Sequence, residues 1–511
     1  MKNTYYVTTP LYYVNDKPHI GSAYTTIAAD VLARFHRLKG EKVFFLTGTD
    51  EHGEKIAKAA EEKKMQPKEF LDSLVPFFID YWKKLNISYD YFIRTTDLAH
   101  EKAVAKFFKK IYDNGDIYLG EYEGNYCVPC ETYYTNGQLK DEKFCPVCGR
   151  QTQLMREQSY FFKLSKYQQA LLGYIESENF ILPETRKNEI INFIKQGLQD
   201  LSISRTSIKW GISVPIDRNH VIYVWFDALL NYITATGYGS NSKQFKSIWP
   251  ADVHLMGKEI VRFHAVIWPA MLLAAGLPLP KKVFGHGWLT VDGQKMSKSK
   301  GNVIDPITVS EKYSVDAFRY FILREISFGS DGDYSEKALI QRINSELADG
   351  LGNLLNRTIV MIEKYFDGQI PKAVNISKPE KELRDLTLKK AEETGNYIDS
   401  LEFNRALSSV WEIIDASNKY INDSKPWELA KKEEKEKLAN VLYTLSESLR
   451  ILSILLLPFI PETAEKIQKQ LGIKVENYSE ALKWNMIQEN TKIGKAEILF
   501  QKIENKEENK K

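Results

Sequence analysis

Cysteine is scarce in this chain: there are four among 511 residues. So few thiols exclude a disulfide-built secreted scaffold. Charge of one sign is also lacking. Lys and Arg number 70 against 67 Asp and Glu, a net charge of +3, so total charge announces no nucleic acid and any such contact must rest on local patches. Long apolar runs are missing as well. The most apolar stretch, Ile451 to Ile460, is far too short to cross a bilayer and carries Pro458. Met1 to Tyr6 has none of the apolar character of a secretory signal. A cytoplasmic protein without a membrane partner is therefore expected. There are no internal repeats, and only Lys502 to Lys511, nearly all Lys, Glu and Asn, has the composition of a solvated tail. What remains, 43% hydrophobic and 27% charged, is an ordinary globular composition, long enough for three or more structural units.

The four cysteines are not scattered. They form Cys127-Val-Pro-Cys130 and Cys145-Pro-Val-Cys148, with residues 131–144 between the pairs. Each CxxC turn can aim two thiolates at one ion, and a hairpin can return the second pair to complete a tetrahedron. Two disulfides are the alternative, disfavoured in a reducing compartment. A four-thiolate zinc has no open position for water, so this metal would be structural, not catalytic. Gly149 after the last cysteine suits a knuckle turn with an unusual backbone.

The pattern of apolar residues predicts α/β architecture. Asn3 to Thr9 and Val43 to Thr47 have strand composition, Pro10 to Gly21 reads as loop, and Ala23 to Leu38 has helical spacing ended by Gly40. Strand, loop, helix, strand opens a parallel sheet whose ligand lies beyond the carboxyl ends of its strands. The pattern breaks near Gly115 and resumes with predicted strands at His220 to Trp225, Asp252 to Met256 and Val283 to Gly285, so the cysteine module reads as an insertion. From about Tyr334 long helices follow: Ala338 to Tyr365, Glu380 to Leu401, Asn404 to Asn422 and Glu434 to Leu457. That is a helix bundle.

Two motifs carry chemistry. Pro18-His19-Ile20-Gly21 opens the first long helix, where free N–H groups and the helix dipole suit a phosphate. Lys295-Met296-Ser297-Lys298-Ser299 follows a turn at Asp292-Gly293-Gln294 and offers two point charges to a polyphosphate. A loop histidine or a Lys/Ser loop is by itself commonplace.

Together the two motifs resemble the paired signatures of class I aminoacyl-tRNA synthetases. Thr9-Pro10-Leu11-Tyr12-Tyr13, Leu46 to Gly53, Tyr223 to Ala228, His254 to His264, the cysteine knuckle and Lys425-Pro426-Trp427 are similar to the methionyl-tRNA synthetase family, in order and over nearly the whole chain. One position departs: Ser22 stands where the family usually has a second histidine, which removes an imidazolium but keeps a hydroxyl for a phosphate oxygen.

The resemblance implies a Rossmann-type parallel-sheet catalytic domain with an inserted zinc-knuckle module, then an all-α anticodon-binding bundle. Its boundaries would be 1–114 and 219–290 for the two catalytic halves and 115–218 for the insertion. Residues 291–345 would hold the lysine loop and stem contacts, 346–500 the bundle, and 501–511 the charged tail. The implied reaction activates L-methionine with ATP and magnesium, then charges initiator and elongator tRNA(Met). His19, Gly21, Ser22, Gly257 and Glu259 would meet ATP, Lys295 and Lys298 the departing pyrophosphate, and Arg205 the reacting centre. Leu11, Tyr13, Trp225, Ala228, Leu229, Tyr232, Ile260 and His264 would form the methionine pocket, with Asp50 for its ammonium group. Asn353, Arg357 and Trp427 would read the CAU anticodon, and Cys127, Cys130, Cys145 and Cys148 would bind one zinc. The chain is expected to be a monomer.

Composition alone reads many of these residues differently: Arg205 as an ion-pair residue, Asn353 as a helix cap, Trp427 and the pocket as core. Two other functions compete. One is a zinc-stabilised RNA-binding protein that lost catalysis, which only Ser22 favours. The other is a small-molecule adenylyl transferase, which the helical C-terminal half argues against.

Overall fold

The computed structural model describes residues 3–14, 17–130, 132–134, 136–177, 179–296 and 302–504. The chain forms two compact units, Met1–Pro18 with Lys42–His286, and His19–Glu41 with Gly287–Lys511.

In the first unit, seven strands among the described residues make one parallel sheet. They are β1 (Thr4–Thr8), β2 (Tyr12–Tyr13), β3 (Lys42–Asp50), β4 (Tyr91–Arg94), β5 (Ile181–Leu182), β6 (Val253–Gly257) and β7 (Val283–His286). The order is β2-β3-β1-β6-β7-β5, with β4 also on β3, and every pairing is parallel. Tyr6, Val7, Phe45, Leu46, Leu255, Met256 and Val283 are wholly buried, the mark of a sheet covered on both faces. Two carboxylates tie neighbouring loops to it: Asp252 accepts the Tyr6 N–H at 2.7 Å and Asp90 the Phe45 N–H at 2.8 Å.

Between β4 and β6 the chain leaves this plan. Ile117–Cys127 and Gln153–Phe162 form a long antiparallel hairpin, flanked by Thr132–Tyr134 and Leu201–Ser202. Within the same stretch Ile181–Leu182 returns to the parallel sheet as its edge strand, too short to leave a periodic signal. The expected strand at His220 to Trp225 needs correction. The strand is Asp217–Ile222, antiparallel to Ser204–Arg205 and Ser213–Val214 in a separate small sheet, and Val224–Leu229 is helical. A short apolar run fits a buried strand or a buried helical turn equally well, and here the helix took Trp225.

The second unit is mainly helical. Ile20–Leu38 packs within it: Asp30 meets Arg319 at 2.7 Å, both wholly buried, and Lys39 meets Asp399 at 3.3 Å. Leu289–Val291, Gln294–Lys295 and Gly332–Tyr334 form a small sheet. The helix expected at Ala338 to Tyr365 runs from Glu336 to Phe366, with a π-helical stretch at Ile343–Gly352. Lys378–Asp399, Phe403–Ser424 and Lys435–Leu456 follow as expected, with Pro426–Lys431 between the last two and Pro461–Leu471 after them, neither of which the sequence pattern predicted. Lys435–Leu456 is long and apolar enough to cross a membrane, yet its apolar window is entirely buried, so it is the core helix of the bundle. The tail also differs from expectation at its start. Asn344 donates to the Ile503 carbonyl at 3.0 Å and accepts its N–H at 2.8 Å, and Lys502 meets Asp349 at 2.7 Å. Residues 505–511 lie outside the described residues.

Candidate functional site

The carboxyl ends of β3 and β6 carry the first cluster. Asp50 ends β3 in register with Tyr13 of β2 and is 8% exposed. The Tyr13 hydroxyl donates to the His52 carbonyl at 2.9 Å. The helix Val224–Leu229 presents half-buried Trp225 beside buried Ala228 and Leu229. Trp225 lies flat on Phe263, centroids 3.8 Å apart and planes 9° from parallel, with the His264 ring edge-on at 6.5 Å. Phe263 sits inside a recognised motif, but no spacing rule singles it out.

Tyr232 and His264 form the inner end. His264 Nδ1 lies 3.0 Å from the Ile260 carbonyl, and Nε2 lies 2.7 Å from the Tyr232 hydroxyl. A carbonyl can only accept, so the hydrogen is assigned to Nδ1, and Nε2 accepts from tyrosine. Burial pushes the His264 imidazole down to about 4 and the Tyr232 phenol upward. Tyr232 and His264 are thus uncharged at neutral pH, and Leu11 packs on the same apolar cluster as Leu229, Tyr232 and Ile260.

Gly257 ends β6, and Glu259 follows in a tight turn. A Cβ on Gly257 would lie 2.5 Å from one Glu259 carboxylate oxygen, so only glycine lets that carboxylate fold over the chain. Arg205 is buried, donating to the Ser202 hydroxyl at 2.8 Å and the Ser204 carbonyl at 2.7 Å, with the Tyr223 ring centroid 4.6 Å away.

In the second unit His19 caps Ile20–Leu38. Its Nδ1 accepts the Gly21 N–H at 3.1 Å, which leaves the hydrogen on Nε2, the form that can donate to a phosphate oxygen. Ser22 closes the cap. It accepts the His19 N–H at 2.9 Å and donates to the His19 carbonyl at 2.7 Å. Lys295 pairs with Thr290 in the small sheet, its side chain outside the description, and Lys298 lies outside the described residues.

On the bundle, Asn353 and Arg357 share one helix, one turn apart. Arg357 donates to Asn422 at 3.1 Å and sits 5.7 Å from the Trp427 ring centroid. Trp427 is 38% exposed, so it is no core residue, and Asn353 is exposed within a continuous helix and caps nothing.

The four cysteine sulfurs all lie within 4.8 Å of one another, with Cys127 and Cys148 3.4 Å and Cys130 and Cys145 3.7 Å apart. All four are free thiols. Tetrahedral metal–sulfur bonds of about 2.3 Å require sulfurs roughly 3.8 Å apart, so the set fits one ion. Gly149 has φ +71°, the left-handed conformation the knuckle requires. Burial opposes ionisation of Cys145, but the Cys148 N–H and the Tyr134 hydroxyl outweigh it and hold the thiol down at about 6.

Comparison with known proteins agrees along the whole chain. A family described as tRNA synthetases class I (M) matches residues 5–154 and 138–359, and an anticodon binding domain of methionyl tRNA ligase matches 370–511. The methionine–tRNA ligase of Caldanaerobacter subterraneus is 56% identical over 508 residues, covering 99% of this chain and 80% of the relative. That of Clostridium tetani is 52% identical over 507 residues, 98% and 79% of the two chains. The solved Mycobacterium tuberculosis methionyl-tRNA synthetase in complex with methionyl-adenylate has a TM-score of 0.94 at 41% identity, covering 98% of this chain and 100% of that one. With family, fold and cysteine cluster in agreement, the chain belongs to the methionyl-tRNA synthetase family of class I aminoacyl-tRNA synthetases.

Proposed function

We propose that the chain works as a methionine–tRNA ligase in two steps. The methionine carboxylate attacks the α-phosphorus of ATP, giving methionyl-adenylate and pyrophosphate. The 3′-terminal ribose hydroxyl of tRNA(Met) then attacks the adenylate carbonyl and AMP leaves. The observations that support this reading are the place of Asp50 at the carboxyl end of its strand and the packing of Trp225, Tyr232 and a neutral His264 around one another. That arrangement matches an ammonium group joined to an apolar, polarizable thioether.

The residue roles follow the chemistry. Asp50 takes the ammonium, while Leu11, Tyr13, Trp225, Ala228, Leu229, Tyr232, Ile260 and His264 enclose the side chain. The Glu259 carboxylate, folded over Gly257, is a bidentate acceptor suited to ribose hydroxyls. His19 Nε2–H and the N–H groups at the start of its helix suit phosphate oxygens, with Ser22 supporting His19 through the cap. Lys295 and Lys298 neutralise the charge that grows on pyrophosphate, sharing it with the magnesium that accompanies ATP. Arg205 adds positive charge near the α-phosphate. Asn353, Arg357 and Trp427 offer hydrogen bonds and a ring face to the unstacked bases of the anticodon. The cysteines would hold one structural zinc.

Several finer readings belong here too: service to both initiator and elongator tRNA, a cytoplasmic location, and a monomeric state for this 511-residue chain. The curated relatives are longer, this chain spanning about four fifths of them, so the monomer applies to the sequence in hand and light scattering tests it. Methionine-dependent exchange of pyrophosphate into ATP, followed by tRNA charging, tests the function. Exchange without charging would leave an adenylyl transferase, and tRNA binding without exchange an RNA-binding protein.

A further inference from the structure

Asp227 is wholly buried in the helix Val224–Leu229, between Trp225 and Ala228. Its Oδ2 lies 2.6 Å from His52 Nδ1 and its Oδ1 lies 2.7 Å from His100 Nε2. A carboxylate accepts only, so both ring nitrogens donate. His100 Nδ1 then lies 2.8 Å from the Thr234 hydroxyl, in the turn Asn231–Thr234 that carries Tyr232. His52 follows Asp50 by two residues, and the chain between them is pinned on other sides. The Glu51 carbonyl accepts the Trp210 indole N–H at 2.7 Å, and Tyr13 donates to the His52 carbonyl. The Glu51 carboxylate is clamped by Arg94 at 2.7 and 2.9 Å.

We propose that His52, Asp227 and His100 form a buried positioning network that sets the Asp50 carboxylate and the Trp225 helix in register for methionine. The proposal rests on the reading of Asp50 and Trp225 as methionine contacts. None of the three touches substrate; they act through the elements they join. Stability alone is a poor reason for such a network, since apolar replacements of buried ion pairs are often as stable. Its value is that one rigid bridge links the strand end carrying the ammonium acceptor to the helix and turn carrying the aromatic wall.

The charges give the network a pH signature. Burial would lower the His52 pKa, but the Asp227 carboxylate outweighs it and the net shift is upward. Burial would raise Asp227, but His52 and then His100 hold it down. Glu101 and Glu51 also face His52, and Lys68 faces Glu101. His52 therefore contributes fully below its unfolded value of 6.5, and that contribution is lost as pH rises through its raised folded value. Asp227 contributes above its unfolded 3.8 and loses it only in strong acid. The bridge is intact at mildly acidic and neutral pH and weakens in alkali.

The test is the methionine KM in pyrophosphate exchange, measured on the full chain from about pH 6 to 9. Asp227→Asn keeps the shape and removes the charge; it should raise the methionine KM about ten- to a hundredfold while the ATP KM holds. His52→Asn keeps an N–H donor near Nδ1 without a titration, so its methionine KM should rise less with pH than that of the wild type. A wild-type KM in folded Asp227→Asn, or matching pH profiles for His52→Asn and wild type, overturns the proposal. Should Asp227→Asn fail to fold, the His52→Asn profile decides alone. Asp50→Asn separates the two layers of argument. If it leaves the methionine KM unchanged, the reading of the pocket falls; if it acts and Asp227→Asn does not, only the network falls.

Discussion

The hydrogen on His264 Nδ1 decides the character of the proposed methionine pocket. Bound to the Ile260 carbonyl, it leaves Nε2 as an acceptor and keeps the ring neutral. The folded pKa of about 4 lies below the unfolded 6.5, so the neutral-ring contribution to stability is complete above pH 6.5 and shrinks as pH falls toward 4. The melting temperature should therefore fall across that interval, and fall less steeply in His264→Gln; equal slopes would show that other groups carry the effect. Lys298 belongs to the same scale. In the proposed reaction its charge matters most as pyrophosphate departs, so Lys298→Ala should slow adenylation roughly a hundredfold with little change in methionine affinity, read by pre-steady-state kinetics. A loss of affinity at constant rate would assign the lysine to ground-state binding.

Among the elements, the cysteine knuckle is the one whose stability is expected to depend on a metal. Among the described residues its apolar cluster is Cys127, Tyr134 and Cys145 with Cys130 and Leu139 packed against it, too little to hold the cysteine turns by burial alone. Elemental analysis should find one zinc per chain. Chelation should raise hydrogen exchange at the cysteine end of the hairpin, residues 125–127 and 153–155, while the parallel strands β1, β3 and β6 stay protected. Metal-free protein of unchanged protection would remove the zinc. The π-helical stretch Ile343–Gly352 lies just before Asn353 and Arg357 in the same long helix, and Arg357 stands 5.7 Å from the Trp427 ring centroid.

For the whole molecule, the proposed function gives the pocket of the first unit to methionine and the Arg357–Trp427 pair of the second to the tRNA anticodon. Trp427→Ala should spare pyrophosphate exchange and reduce tRNA charging about ten- to a hundredfold, the ~1–3 kcal/mol of a lost base stack. A tRNA with an altered anticodon is the control: equal discrimination by mutant and wild type would show that Trp427 does not read the anticodon. Because Trp427 is half-exposed, loss of the bundle is not expected on its removal.

Much of this was legible in the chain. The parallel strands β1, β3, β6 and β7 fell on apolar runs, the two CxxC pairs announced one four-sulfur cluster, and the order of motifs identified the family. Such features are local, set by composition, period and spacing. Three-dimensional packing decided the rest. It made Trp225 helical and laid it on Phe263, grouped Ile20–Leu38 with the C-terminal half, spent the Ser22 hydroxyl on a cap, and docked Ile503 on Asn344. It also brought His52 to Asp227 across 175 residues of sequence. A histidine and an aspartate each look like solvated polar residues when read singly; only burial together, where an unpaired charge is costly, makes them partners.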